Sequence, residues 1–229
     1  MEDIDQTGDH RTRVAAIRRE NTRMRLIETA LSVFAEKGPD APLIEDFIAA
    51  AGVARGTFYN YFRTTEELLA AVAGEISDEI LGVIDPMIVT IDDPAVRVAI
   101  GARLYMRMGL RYPLWGTFIS RVGMRRGSRG RLLDETVTRD LELGMVAGRF
   151  RIESVQVARD VVLGSITYGI ETIASGLGGA DYDEQSMFAI LQALGVGRRE
   201  ARSLAHTELP EVAGPRGTIF SRIEAGKAT

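Results

Sequence analysis

Cysteine is absent from the 229 residues, and histidine occurs only twice, as His10 and His206. That inventory excludes a disulfide framework, a Cys/His zinc site and a thiol nucleophile, and no metal or cofactor is expected. Long apolar runs are also missing. The longest uncharged stretch, Gln185 to Gly197, has 13 residues, whereas a membrane-crossing helix needs about 20. The N-terminus opens on Glu2, Asp3 and Asp5 without an apolar stretch, so no signal peptide is expected. These absences point to a soluble, reduced, cytoplasmic protein with no membrane partner.

What remains is ordinary globular stock, 45% hydrophobic and 26% charged, enough for one large domain or two small ones. The net charge of −4 is unevenly spread. Residues 11–65 carry nine Lys/Arg against six Asp/Glu, while residues 1–10 carry four acids and no base. A basic N-terminal quarter is compatible with nucleic-acid binding, although patches of this size are often only solvated surface.

Apolar residues recur at helical spacing and strand alternation is scarce. Leu26, Ile27, Ala30, Leu31, Phe34 and Ala35 mark one amphipathic helix, which Gly38 and Pro39 stop. Leu43 to Ala51 predicts a second helix halting at Gly52, and residues 54–62 a short aromatic third. Thr64 and Glu67 form a capping-box pattern for a helix reaching Asp85–Pro86. Further helices are predicted from Asp93–Pro94 to Tyr112–Pro113 and over 131–147, 154–175, 184–194 and 198–207. Gly127–Gly130 and Gly176–Gly179 read as loops. The fold class is therefore all-α, with nine or ten helices.

The stretch Leu43 to Phe62 forms a helix, a turn centred on Gly52 and a second helix. Phe47, Ile48, Ala51, Val53, Phe58 and Phe62 supply an inner face, leaving Arg55, Gly56, Thr57, Tyr59, Asn60 and Tyr61 for a partner. Hydrogen-bonding and aromatic groups of this size suit a major groove, as in a helix-turn-helix. The run from Ala51 to Phe62, followed by Thr65, Glu66, Glu67, Leu68 and Leu69, resembles the DNA-binding signature of the TetR (tetracycline-repressor-like) regulators. Ile27 to Leu31 and Phe34 to Gly38 resemble the preceding helix of that family. The resemblance covers about residues 22–70. It departs at Pro42–Leu43, where the family has Ser or Thr, at Ala54 (Ser or Thr), at Tyr61 (His) and at Thr65 (Lys).

The resemblance implies an N-terminal three-helix DNA-binding domain over 20–80, preceded by a flexible arm, 1–19. A helical ligand-binding and dimerisation domain would follow over 81–209, then a frayed tail, 210–229. It implies a homodimer on a palindromic double-stranded operator, repressing until a small-molecule effector of unknown identity releases it. Arg55, Gly56, Thr57, Tyr59, Asn60, Tyr61 and Thr65 are the candidate DNA contacts. An accessory or architectural DNA-binding protein without an effector is the alternative. A helical enzyme with an incidental helix-turn-helix corner is a third reading.

The arginines at 11, 13, 18, 19, 23 and 25 face one acid, Glu20, and either track phosphates or decorate a solvated helix. Residues 94–133 hold nine arginines and no acid. Arg103, Arg107 and Arg111 share a helix face, which suits an anionic effector or plain solvation beside Glu75, Asp78 or Glu79. Arg103, Met106, Trp115, Phe118 and Tyr168 are the candidate pocket residues, with Tyr105 and Met108 beside them, although aromatics and methionines at this density are more often ordinary core. Val161, Val162, Ile166, Ile170 and Ile173 with Gly164, Ser165 and Gly169 suggest a helix serving a four-helix dimer interface or the core. Catalysis finds little support. The adjacent acids diverge on helices, and His206 has only Glu208 nearby with no nucleophile. No glycine loop ends in the Lys-Ser/Thr of a phosphate loop.

Overall fold

The computed structural model describes residues 3–122, 130–215 and 219–220, with side chains from residue 12 onward. Among the described residues there are ten helices and no strand, so the chain is all-α. They are α1 Asp3–Lys37, α2 Ile44–Ala51, α3 Arg55–Tyr59, α4 Thr65–Ile88 and α5 Pro94–Arg111, followed by α6 Pro113–Val122, α7 Arg131–Val146, α8 Val155–Ala174, α9 Tyr182–Ala193 and α10 Arg198–Ala205. The expected loop at 127–130 lies outside the described residues except for Gly130, which precedes α7.

Residues 3–19, expected as an arm, form the first half of α1. Alanine and arginine are strong helix formers, and no proline interrupts them. Leu26, Ile27, Ala30, Leu31 and Phe34 then bury completely against α2, α4 and α6. Gly52, at φ 60, ends α2 in the left-handed conformation that glycine tolerates. The Val53 amide returns to the Ile48 carbonyl at 3.1 Å and closes the turn.

The start of α4 obeys the capping pattern with one shift. Thr64 accepts from the Glu67 amide at 3.2 Å, while the Glu67 carboxylate takes the Arg63 amide rather than that of Thr64. The helix runs on through Pro86 to Ile88, past the stop the proline suggests. Proline withholds one donor, but the Val89 amide still bonds the Asp85 carbonyl at 2.9 Å.

The C-terminal half is built around α5, which touches α4, α6, α7, α8, α9 and α10. Gly116 lets α6 approach α5, since a Cβ there would lie 2.8 Å from the Gly109 carbonyl oxygen. Part of the expected tail, residues 210–215 and 219–220, is described. Beyond α10 the chain returns along α5, with Arg103 donating to the Thr207 carbonyl and Arg111 to the Val212 carbonyl, both at 2.6 Å. The Ile219 and Phe220 amides both donate to the Glu79 carboxylate of α4, at 2.9 and 3.2 Å. Phe220 is 1% exposed and its ring centroid lies 4.6 Å from that of Tyr112. Two apolar residues late in a polar tail are enough to seat it.

Candidate functional site

Two regions combine chemistry with placement: the surface of α3 and a cavity in the C-terminal half. In α3, Phe58 is fully buried and stacks on Phe47 of α2 with ring centroids 6.4 Å apart, and Phe62 tilts against Phe58 at 6.1 Å. This aromatic lock sets the rotation of a helix only five residues long. Arg55, Gly56, Tyr59 and Asn60 are exposed, while Thr57, Tyr61 and Thr65 are half-buried, and Tyr61 packs partly against the core. The Arg55 guanidinium pairs with Glu45 of α2 and lies 5.8 Å from the Tyr59 ring centroid. Leu43 offers α2 no hydroxyl cap. Asp46 accepts the Leu43 amide instead and also binds Lys37 at 2.6 Å. The Lys37 hydrogen bond and that amide hold the Asp46 carboxyl below its ordinary value.

The cavity lies between α4, α5, α7 and α8. Leu81, Ile84, Val98, Leu133, Val162 and Ile166 give it an apolar wall, and Asp85, Arg97, Tyr105, Thr136 and Asp140 are its polar members. Its volume is about 40 Å³ for the centre of a water-sized sphere. Helical spacing explains the convergence: Arg97, Gly101 and Tyr105 are four residues apart on α5, as are Leu81, Asp85 on α4 and Thr136, Asp140 on α7.

An ion network closes one side of this space. Arg97 donates to Asp140 at 3.1 Å, and both side chains are at least nine-tenths buried. Arg139 holds Asp140 at 2.9 Å and binds both Asp85 oxygens, at 2.8 and 3.3 Å. Hydrogen bonds to Asp85 and Asp140 raise the Arg139 pKa further above its ordinary value. Tyr105 and Ser77 share a buried hydrogen bond of 3.0 Å. Burial outweighs that bond and pushes the Tyr105 phenol up to about 12, so it stays neutral.

Of the side chains singled out for a pocket, Tyr105 lines this cavity, whereas Arg103, Met106, Met108, Trp115, Phe118 and Tyr168 do not. Arg103 is 2% exposed and tied to Asp183 at 2.9 Å and Glu184 at 3.0 Å. Met106, Trp115 and Phe118 are core residues, Trp115 edge-on to Tyr105 and Phe118 edge-on to Phe34. Tyr168 is 66% exposed on the outer face of α8. Of the α5 arginines, Arg97 and Arg103 are buried in ion pairs, whereas Arg107 and Arg111 stay exposed, as a solvated face paired in places predicts. Arg107 joins Arg103 on Asp183, and the acids come from α9 rather than from Glu75, Asp78 or Glu79. His206 pairs with Glu184 at 2.5 Å, not with Glu208. Asp85, Arg97 and Asp140 were missed. The helical pairing of apolar residues around Asp85 and Asp140 was the available signal.

The outer face of α8 carries Val157, Val161 and Tyr168, all exposed. Val161 and Tyr168, with Gly164, Ser165 and, on α9, Gln185, Ser186 and Ala189, border a shallow groove. Val162, Ile166, Ile170 and Ile173 face inward instead. Among the described residues no cluster of three potential metal ligands occurs, and no helix is long and apolar enough to cross a membrane.

Family models match both halves of the chain. Residues 26–72 match "Bacterial regulatory proteins, tetR family" and residues 93–207 match "Tetracyclin repressor-like, C-terminal domain". Among solved structures, RolR in complex with the ligand resorcinol is 35% identical, with a TM-score of 0.72 over 86% of this chain and 100% of that one. A putative tetR family transcription regulator from Shewanella sp. PV-4 shares the fold, with a TM-score of 0.62 at 17% identity over 76% of this chain and 97% of that chain. The uncharacterized HTH-type transcriptional regulator YvdT of Bacillus subtilis (strain 168) is 41% identical over 49 residues, 21% of this chain and 25% of YvdT. The chain thus matches only a quarter of that curated relative's length.

Proposed function

Because this chain belongs to the tetR family of bacterial regulatory proteins, we propose that it is a homodimeric repressor released from its operator by a small molecule held between α4, α5, α7 and α8. The observation that carries this reading is the span of α4. Thr65 stands beside the helix-turn-helix, whereas Leu81, Ile84, Asp85 and Ile88 line the cavity. The rise from Thr65 to Asp85, 20 residue steps, is about 30 Å at 1.5 Å per residue. A ligand that displaces the Asp85 end therefore tilts the end that packs on α1 and follows the helix-turn-helix.

In the dimer, the exposed stripe of Val157, Val161 and Tyr168 meets its own copy, placing two α3 helices in successive major grooves about 34 Å apart. Arg55, Thr57 and Asn60 approach bases, and Tyr59, Tyr61 and Thr65 approach phosphates. Binding DNA requires Arg55 to leave Glu45 or share it. Ligand and operator then weaken each other by one common factor, typically about 1–3 kcal/mol. The binding of resorcinol by RolR supports a small ring-shaped effector, consistent with the modest cavity.

The test begins with selection of a preferred site from random duplexes, followed by anisotropy titration with and without candidate effectors at fixed salt. A palindromic site and ligand-induced release support the reading. A folded protein without sequence preference overturns it. Asn60→Ala should reduce the ratio of specific to non-specific binding by about 1–3 kcal/mol.

A further inference from the structure

An acid stands at the reading surface, where a face built only for phosphates would carry none. Glu45 of α2 pairs across the helix-turn-helix corner with Arg55, the one charged residue of α3. Their side chains are 55% and 58% exposed, so burial does not enforce the pairing. Exposed ion pairs of this kind are weak and can be shared or exchanged when a better partner arrives. The next acid along α2 is committed elsewhere: Asp46 holds Lys37 at 2.6 Å and accepts the Leu43 amide at 2.9 Å.

The Arg55 guanidinium is held from two sides. Nη1 engages Glu45, Nη2 reaches toward the Tyr59 hydroxyl at 3.5 Å, and the central carbon lies 5.8 Å from the Tyr59 ring centroid. Arginine carries five N–H donors in a planar fork, so the Glu45 contact leaves donors for a base. Together the two side chains present donors beside an acceptor. In the major groove a G·C pair presents the converse: the O6 and N7 acceptors of guanine lie beside the N4 amine of cytosine. An A·T pair instead sets an acceptor, thymine O4, against the carboxylate. A backbone phosphate offers acceptors and a negative charge, which Glu45 repels.

Resting on α3 as the reading helix, we propose that Glu45 is a specificity-determining residue. With Arg55 it reads one G·C pair in each half-site, and it holds Arg55 back from backbone phosphates. Guanine takes the open donors of Arg55, the cytosine amine donates to Glu45, and the ion pair survives in the specific complex. Off the operator, a phosphate wins Arg55 only by facing the carboxylate. Non-specific binding is thereby suppressed more than operator binding.

The full-length chain selects its site from random duplexes, and anisotropy titrations then compare that site with a scrambled duplex between about 50 and 200 mM salt. The parent should select a G·C pair at one position of each half-site, and Glu45→Gln should relax that preference. Glu45→Gln should keep its Tm, because the side chain is exposed. It should bind the scrambled duplex at least about threefold more tightly and lower the ratio of specific to non-specific binding about tenfold. The slope of log affinity against log salt on the scrambled duplex should steepen by about 0.9, one added phosphate contact. These changes should be mostly lost in an Arg55→Ala background, where no guanidinium remains to be released. Equal effects with and without Arg55 make Glu45 a plain repulsive charge and overturn the inference. So does an unchanged specificity ratio in folded Glu45→Gln; in either case a parent that selects a site leaves the wider reading standing. A parent without sequence preference overturns both.

Discussion

Arg121 of α6 donates to the carbonyl of Glu36, one residue before the end of α1, at 2.7 Å. Close by, Phe118 meets Phe34 edge-on with ring centroids 6.4 Å apart. The regulatory half therefore grips the last turn of α1 both electrostatically and by packing, because a cation is favourable where helix carbonyls are unsatisfied. Arg121→Ala should cost about 0.5–1 kcal/mol of stability, since the pair is exposed. Its larger effect should be on regulation: operator affinity without ligand should change little, while ligand-induced release weakens. Comparing operator Kd with and without effector in both proteins checks this.

Gly116→Ala tests the crossing of α5 and α6. The new methyl carbon would lie 2.8 Å from a backbone oxygen and 3.3 Å from Ala174 Cβ, and neither neighbour can rotate away. The helices must separate, at a cost of about 1–3 kcal/mol. Thermal unfolding followed by circular dichroism should show a lowered Tm with helical content retained.

Asp93 couples acidity to stability. It caps α5 through the Ala95 amide at 2.8 Å and binds Arg149 through both oxygens, at 3.0 and 2.8 Å. Burial opposes its ionisation, but the Arg149 and Ala95 hydrogen bonds prevail and hold its pKa below the ordinary carboxylate value. A carboxyl depressed in the folded state stabilises fully above its unfolded pKa, near about 3.9. That contribution disappears as pH falls through the lower, folded value. Asp93→Ala should thus be less stable than the parent at neutral pH, by about 1 kcal/mol for the cap alone. The gap should close below pH 4 in urea titrations.

Tyr168→Arg addresses self-association. The residue is 66% exposed on α8, beside exposed Val161, so a charge there leaves the fold intact. Facing its own copy, the substitution sets like charges together. Sedimentation velocity should show a shift toward monomer, and operator affinity should fall at least tenfold because half-sites lose their shared tether. An unchanged sedimentation coefficient would place the dimer contact elsewhere.

The helix-turn-helix was legible because its determinants are local. Phe47, Gly52, Phe58 and Phe62 lie within 16 residues, and their spacing alone specifies the turn and the aromatic lock. The cavity was not, because its wall draws on residues from Leu81 to Ile166 and depends on how four helices cross. Arg97 and Arg103 misled for the same reason. They find acids 43 and 80 residues away, so a segment without local acids looked solvated. Trp115 and Phe118 were correctly apolar, but composition cannot distinguish a pocket lining from a filled core. Among the described tail residues, Ile219 and Phe220 are anchored by Glu79, 140 and 141 residues earlier, and by Tyr112, which no local pattern announces.

That anchorage has a consequence for synthesis. Glu79 and its partners are 140 and 141 residues apart, and translation at about 5–20 residues per second separates their emergence by roughly 7–28 seconds. During that interval the helix-turn-helix, made of contacts close in sequence, can fold and expose its reading surface. The middle of α4 meanwhile lacks its final partner. A nascent or truncated chain therefore presents a DNA-binding half before the regulatory half has been fully secured to it.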